Sequence, residues 1–163
     1  MNRLAYALST CFWLGAAPVA PGTFGTLGGV AIAFGLAFTS HYLLGVCVAV
    51  GALYVVGRKL GDWAEKNAAG KDPGFFVLDE VIGYLITVAW VAPPSLLTLV
   101  VGFVLFRFFD VLKPPPVRWF ERFRGGDGII LDDIAAGIYG FFVLWLLRVL
   151  VLEPENWIRV AAG

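Results

Sequence analysis

Five apolar runs separated by short polar segments dominate the chain. They cover approximately residues 28–38, 42–57, 81–92, 95–106 and 134–152. Runs of this kind are typical of helices in a membrane. Several are shorter than the ~20 residues that a full span requires, so flanking polar residues must lengthen the helices. The pattern predicts an all-α fold, a compact multi-helix integral membrane bundle with short or hairpin membrane helices.

Two tight turns divide the first four runs into pairs. Thr39, Ser40 and His41 separate the first two runs, and Pro93 and Pro94 separate the third from the fourth. Each pair therefore predicts a helical hairpin. The composition is 60% hydrophobic, whereas soluble domains are nearer half apolar, and 163 residues suit one domain. We predict a single membrane-embedded domain over residues 1–163.

Composition also excludes several functional classes. The 12 basic and 12 acidic residues balance, which gives no support for nucleic-acid binding. His41 is the only histidine of the sequence, and Cys11 and Cys47 match no metal-ligand spacing. The chain therefore lacks the residues for a histidine-based triad or a zinc site.

Basic residues are concentrated in two of the polar segments, 58–75 and 107–131, and are absent from both tight turns. The positive-inside rule places these two segments in the cytoplasm and the turns outside. An odd number of spans then puts the C-terminal residues 152–163 outside, and an interfacial position for them is the alternative.

Five acidic residues lie at the ends of apolar runs, where carboxylates are costly. The predicted topology brings these run ends to one side of the membrane, at similar depth. Acids at a helix N-terminus also favour the macrodipole, but one acid for each helix would satisfy that interpretation. Carboxylates near lysine and glycine-rich turns suit a hard cation and a phosphate. The five residues are Asp79, Glu80, Asp110, Asp132 and Asp133.

Two further motifs suit phosphate. The segment APGTFGT (20–26) combines glycines with hydroxyls, and such a turn at the start of a helix presents N–H groups to an anion. A simple turn with a threonine N-cap is the alternative. Arg107, Asp110 and Lys113 follow one another at intervals of three and share a helix stripe. They predict either a metal-binding aspartate beside phosphate-binding cations, or an ion pair with a snorkelling arginine.

In this order, the motifs resemble those of the phosphatidylglycerophosphatase A family. The matching stretches are APGTFGT, DPGFFVLDEVIG, FRFFDVLKPPPVRWFE and GGDGIILDDIAAGIYG, which together run from Ala20 to Gly140. The resemblance implies a small, helical, Mg²⁺-dependent lipid phosphatase that converts phosphatidylglycerophosphate to phosphatidylglycerol. It also implies a multi-pass protein of the bacterial inner membrane, with the active site facing the cytoplasm.

The resemblance carries over to individual residues. The DE pair, the FD-x-x-KP pattern and the DD-x-x-AG pattern imply a catalytic set of Asp79, Glu80, Asp110, Lys113, Asp132 and Asp133. We expect Mg²⁺ to be held by Asp79, Glu80, Asp132 and Asp133. We expect the substrate phosphate to be bound by Gly22, Thr23, Thr26, Arg107 and Lys113.

Two mechanisms and two other functions stay open. An activated water is the expected nucleophile, and attack by an aspartate through an acyl-phosphate ranks second. Another lipid phosphate is the alternative substrate. A divalent-cation transporter is the alternative class, although it predicts acids near mid-span and a pseudo-symmetric repeat.

Overall fold

The computed structural model describes residues 2–68, 70–120 and 122–150, and all the regular structure in these ranges is helical. Residues 152–163, for which the sequence predicts an outside or interfacial position, lie outside the described ranges. The described residues form seven α-helices and one short 3-10 helix, Leu14–Ala16. The α-helices are α1 (Arg3–Ser9), α2 (Pro21–Leu36), α3 (Tyr42–Asn67), α4 (Leu78–Thr87), α5 (Leu96–Leu112), α6 (Val117–Phe120) and α7 (Gly125–Leu150).

The predicted all-helical fold and the order of its helices are confirmed. The five apolar runs correspond to α2, α3, α4, α5 and α7. A short connection joins the two helices of each predicted hairpin, α2 to α3 and α4 to α5. The end of the third helix differs from the prediction, because the third apolar run extends to residue 92 whereas α4 ends at Thr87.

Both predicted cytoplasmic linkers are partly helical, because polar residues that flank the apolar runs lengthen the helices. Helix α3 continues to Asn67, and α7 begins at Gly125, whereas the glycine-rich turn before Asp132 and Asp133 predicts a start near Asp132. Carboxylates of α3 explain the early start of α7. Glu65 accepts a hydrogen bond from the Gly125 N–H at 3.0 Å, and Asp62 accepts one from the Gly126 N–H at 2.8 Å. These side chains cap α7 from another helix and satisfy N–H groups that have no partner within it.

Glycines allow α3 and α7 to cross with their backbones in direct contact. A Cβ atom on Gly126 would lie 1.9 Å from the Arg58 carbonyl oxygen, and one on Gly61 would lie 2.6 Å from the Gly126 Cα. No side chain fits at such a crossing, so the glycine-rich start of α7 is required by its packing.

The short helix α4 lies at the centre of the bundle. It packs against α2, α3, α5 and α7, and Val81, Ile82, Tyr84 and Leu85 are completely buried on it. The Thr87 hydroxyl lies 3.0 Å from the Gly83 carbonyl oxygen of its own helix and 3.2 Å from that of Gly137 in α7. The surrounding helices therefore hold α4, and the acids of its first turn, in a fixed position.

Two helices are long and apolar enough to cross a membrane, α3 and α7, each with 26 residues. Half of the most apolar part of α7 is buried in the bundle, whereas only 11% of that of α3 is. Leu44, Val48 and Val55 of α3 are each about 60% exposed. An uncovered apolar surface of this extent is rare on soluble monomers and marks a surface that contacts lipid or protein.

Candidate active site

Three carboxylates converge where the N-terminal turn of α4 meets α7. Oxygen atoms of Asp79, Glu80 and Asp133 all lie within 4.8 Å of one another. Asp79 and Asp133 are buried and Glu80 is half-buried. Asp133 lies about two turns inside α7, so the helix macrodipole does not account for its position.

Glycines bring the two acidic segments together. A Cβ atom on Gly137 would lie 2.4 Å from the Gly83 carbonyl oxygen, and one on Gly83 would lie 2.6 Å from the carbonyl oxygen of Asp133. Helices α4 and α7 can therefore approach closely enough for their carboxylates to share one small volume.

Two cations of α5 flank these carboxylates. Arg107 Nη1 lies 2.5 Å from Asp110 Oδ2, as the spacing of three residues predicts, and Lys113 Nζ lies 2.6 Å from Asp132 Oδ2 of α7. Lys113 follows the last residue of α5 and has a φ of 44°, which turns the chain out of the helix. The pair between Lys113 and Asp132 thus joins the end of α5 to α7.

One cavity of about 220 Å³ gathers these groups. The predicted convergence of the acidic motifs on one side of the bundle is confirmed. The cavity is lined by Ala20, Pro21, Gly22, Asp72, Gly74, Phe76, Asp79, Glu80, Arg107, Asp110, Lys113, Asp132 and Asp133.

Two of the predicted phosphate-binding residues, Thr23 and Thr26, are not among the residues that line this cavity. The segment is the first turn of α2 itself and not a loop before it, since Pro21 occupies the first helical position. Thr26 is buried and its hydroxyl donates to the Gly22 carbonyl oxygen at 2.8 Å, a common use of a helical threonine. The Thr23 N–H donates to the Ala20 carbonyl oxygen. Thr23 therefore is not the N-cap either, because that position is held by Ala20.

Gly22 has a clear spatial requirement at this site. A Cβ atom there would lie 2.3 Å from Glu80 Oε1 and 3.0 Å from Arg107 Nη1. The glycine thus allows the Glu80 carboxylate and the Arg107 guanidinium group to lie close to the backbone at the start of α2.

Asp72 lines the cavity, although its position in an Asp-Pro-Gly sequence indicated only a turn. Its φ is 51°, in the left-handed region that aspartate tolerates better than most residues. Ala20 and Lys113 also have positive φ angles, so three non-glycine residues of the lining are in this costly conformation. Such strain is concentrated at functional sites. The sequence signal that could have identified Asp72 as a site residue is its position in a polar turn just before the acidic motif of Asp79 and Glu80.

Negative charge predominates in the cavity. Six of the described lining residues are acidic and two are basic, and the two basic residues, Arg107 and Lys113, form ion pairs with Asp110 and Asp132. Burial, and then the charge of Glu80, raise the pKa of Asp79 well above its usual range. Burial also raises the pKa of Glu80. Carboxylates in this setting remain ionised only when a cation balances them.

The donor atoms fit a hard divalent cation. Buried carboxylate oxygens of Glu80, Asp132 and Asp133 have no hydrogen-bond partner in the described part of the chain. Unsatisfied buried carboxylate oxygens are costly, and coordination of a metal ion would satisfy them. Mg²⁺ prefers a few carboxylate oxygens together with water and phosphate oxygens. This cavity offers the carboxylate oxygens of that donor set.

The chain is similar in sequence to known lipid phosphatases. The sequence matches the profile of the family described as phosphatidylglycerophosphatase A over residues 7–148. It is 34% identical over 148 residues to the phosphatidylglycerophosphatase A of Escherichia coli, covering 90% of this chain and 85% of the relative. The corresponding protein of Haemophilus influenzae is 34% identical over 147 residues, with 88% of each chain covered.

Another relative has a different name. A Bacteroides thetaiotaomicron protein provisionally named a phosphatidylinositol-3-phosphatase is 34% identical over 154 residues, covering 89% of this chain and 94% of the relative. No solved structure is significantly similar to the chain.

Proposed function

The chain belongs to the phosphatidylglycerophosphatase A family, and from that premise we propose that it hydrolyses phosphatidylglycerophosphate to phosphatidylglycerol and phosphate. Membership makes it a phosphoric monoester hydrolase. The observation that carries the proposal is the cavity in which Asp79, Glu80 and Asp133 lie beside two paired cations. We further propose that the reaction depends on Mg²⁺ and takes place at the cytoplasmic face of a bacterial inner membrane.

Asp79, Glu80 and Asp133 would hold the Mg²⁺ ion. Asp132 would contribute through Oδ1, since Oδ2 is paired with Lys113 and Oδ1 is buried without a hydrogen bond. When bound, the ion would neutralise phosphate charge and lower the pKa of a coordinated water. The proposal thus keeps the four metal-binding acids that the sequence predicts. Asp79, Glu80 and Asp133 lie closest together, and Asp132 is the fourth.

The basic residues would bind and orient the phosphate. Lys113 would stabilise the negative charge on the transferring phosphoryl group, an electrostatic contribution of the kind that dominates phosphate chemistry, and Arg107 would supply a second positive charge for phosphate of the lipid. Asp132 and Asp110 hold these two cations in defined positions before substrate arrives. Pre-positioning of this kind lowers the entropic cost of reaching the transition state.

The hydrolytic step exchanges one bond to phosphorus for another. A water oxygen bonds to the terminal phosphorus as the bond to the glycerol oxygen breaks. A carboxylate of the cavity takes one proton from the water and passes it to the departing glycerol oxygen, which becomes a hydroxyl, while the other proton stays on the phosphate. The products are the lipid alcohol and inorganic phosphate.

Membrane embedding would supply the lipid without extraction. The exposed apolar surface of α3 suits contact with acyl chains, and the acids lie at the ends of apolar helices, where a head group resides. The basic residues of segments 58–75 and 107–131 support a cytoplasmic position for this end of the bundle.

Hydrolysis of another lipid phosphomonoester is the second candidate function. It is favoured by the Bacteroides thetaiotaomicron relative, whose provisional name gives an inositol lipid phosphate as substrate.

A substrate panel separates the two candidates. Inorganic phosphate release by the detergent-purified full chain would be measured with phosphatidylglycerophosphate, phosphatidylinositol 3-phosphate and phosphatidic acid of matched acyl chains. We expect phosphatidylglycerophosphate to have the highest kcat/KM. A higher value for the inositol lipid would favour the second candidate, and no release from any lipid by folded protein would refute both.

A further inference from the structure

The two cations of the cavity differ in their surroundings. Lys113 lies at the end of α5 and is paired with Asp132 of α7, whereas Arg107 is paired with Asp110 of its own helix. Arg107 precedes Lys113 by six residues, which separates their backbone positions by about 9 Å along a helix. The two side chains therefore reach the carboxylates from different levels of α5.

Arg107 emerges from an exposed apolar stripe of α5. Val104 and Val111 lie one turn before and one turn after it on the same face, and they are 59% and 74% exposed. Its neighbour Phe108 is 55% exposed, and Phe24 of α2, two residues after Gly22, is 42% exposed. The guanidinium group itself lines the cavity. Arg107 is thus the cation between the buried carboxylates and an apolar surface.

The proposed substrate has two anionic groups of different kinds. Its terminal phosphomonoester is the group to be hydrolysed, and a phosphodiester links the same glycerol to the diacylglycerol. If acyl chains lie along the stripe of Val104, Phe108 and Val111, the phosphodiester is the first charged group to enter the cavity. The terminal phosphate, three carbons further on, then reaches the carboxylates and Lys113.

We propose that Arg107 binds the phosphodiester of the lipid and so selects substrates with two phosphates, while Lys113 binds the phosphate that is removed. This inference rests on the proposed function and assigns a different phosphate to each cation. A guanidinium group suits the diester because it donates two parallel hydrogen bonds to a pair of phosphate oxygens. Arg107 also lines the cavity that the carboxylates share, so a lipid phosphate that enters the cavity can reach the guanidinium group.

The two reaction products provide a direct test, because each carries only one of the two groups. Inhibition of phosphatidylglycerophosphate hydrolysis would be measured with phosphatidylglycerol, which has the diester, and with inorganic phosphate. Phosphatidylcholine in the same micelles controls for dilution of the substrate. The variants are Arg107→Gln and Lys113→Gln, with Arg122→Gln as the matched control at an exposed arginine outside the cavity lining.

We expect Arg107→Gln to raise the inhibition constant for phosphatidylglycerol by at least ~10-fold, the value of one lost charge-assisted hydrogen bond, and to leave that for phosphate within about threefold. Lys113→Gln should raise the inhibition constant for phosphate by at least ~10-fold and leave that for phosphatidylglycerol within about threefold. Arg122→Gln should change neither inhibition constant. Retained inhibition by phosphate also shows that the Arg107 variant is folded.

Three outcomes would overturn the assignment. They are an equal weakening of both inhibitors in Arg107→Gln, no change in either, or no inhibition of the wild type by phosphatidylglycerol. The second outcome would leave Arg107 as a snorkelling arginine in an i,i+3 ion pair. A wild type that releases no phosphate from any lipid would instead refute the proposed function.

Discussion

Among individual residues, Asp79, Glu80 and Asp133 distinguish this chain from an ordinary helical bundle. Their oxygens lie within 4.8 Å of one another in a largely buried position. A structural role does not require three mutually repelling carboxylates, since unpaired buried charge is destabilising. A cation shared between them would relieve this repulsion.

Amide substitution within this trio should reduce turnover strongly. We predict that Glu80→Gln and Asp133→Asn each lower kcat by at least ~10²-fold, the usual scale for one lost electrostatic group in an active site. Asp127→Asn is the control, because that carboxylate of the same helix pairs with Arg58 outside the cavity and exposed pairs contribute little. Phosphate release at saturating Mg²⁺ is the measurement. Near-normal kcat in both trio variants would remove these residues from the chemistry.

Gly22 offers a test of geometry without a change of charge. We predict that Gly22→Ala lowers kcat/KM by up to ~10²-fold, because the added methyl group would displace the Glu80 carboxylate and the Arg107 guanidinium. The thermal unfolding midpoint should change little, since flexible side-chain ends can move. Gly35→Ala, in the same helix with no atom within 4 Å of the new Cβ, is the matched control and should retain full activity. Equal activities of the two variants would show that the close approach of Glu80 and Arg107 to Gly22 is not needed for catalysis.

The sequence revealed the charged residues of the cavity but not its backbone details. Carboxylates and cations at the ends of apolar runs are conspicuous because such runs otherwise exclude charge. The threonines of the APGTFGT segment do not line the cavity, because Pro21 starts the helix earlier and the Thr26 hydroxyl donates to its own backbone. Asp72 was missed because a turn sequence does not reveal which cavity the turn borders.

At the level of elements, close helix crossings position the site. Helix α7 meets α4 through Gly83 and Gly137 and meets α3 through Gly61 and Gly126. Apolar periodicity predicted the helices themselves, but the start of α7 depends on caps from Asp62 and Glu65, sixty or more residues earlier. Such long-range contacts leave no local pattern, so the prediction placed the start of α7 too late.

The crossing of α3 and α7 should tolerate no side chain. We predict that Gly126→Ala destabilises the protein by at least ~1–3 kcal/mol, because the new Cβ would overlap the Arg58 carbonyl and backbone cannot move aside cheaply. Activity should fall as well, since α7 carries Asp132 and Asp133. Thermal unfolding in detergent, followed together with phosphate release, checks both effects. Gly51→Ala, at an open position of α3, is the control, and a stable, active Gly126→Ala protein would show that the crossing is looser than described.

For the whole molecule, the apolar exterior favours a membrane-associated protein. The exposed stripe of α3 and the predominance of apolar residues are unusual for an ordinary soluble domain. In a bilayer the short helix α4 can remain at the centre because the longer helices surround it.

Insertion can be tested at Val48, which is 62% exposed near the middle of the apolar part of α3. We predict that Val48→Lys reduces the membrane-integrated fraction, because a lysine in the centre of a span costs about 2.5–3.5 kcal/mol on insertion. Val48→Leu is the control and should integrate normally. Resistance to carbonate extraction is the measurement. A fully soluble, active Val48→Lys protein would indicate that this surface faces water.

The most direct measurement is phosphate release from phosphatidylglycerophosphate by the purified full chain with Mg²⁺, then with EDTA, and then with Mg²⁺ restored. We predict release with Mg²⁺, loss of at least ~10²-fold with EDTA, and recovery when the ion returns, because the trio of carboxylates requires a cation to bind phosphate. Release that EDTA leaves unchanged would contradict a metal-dependent site at Asp79, Glu80 and Asp133.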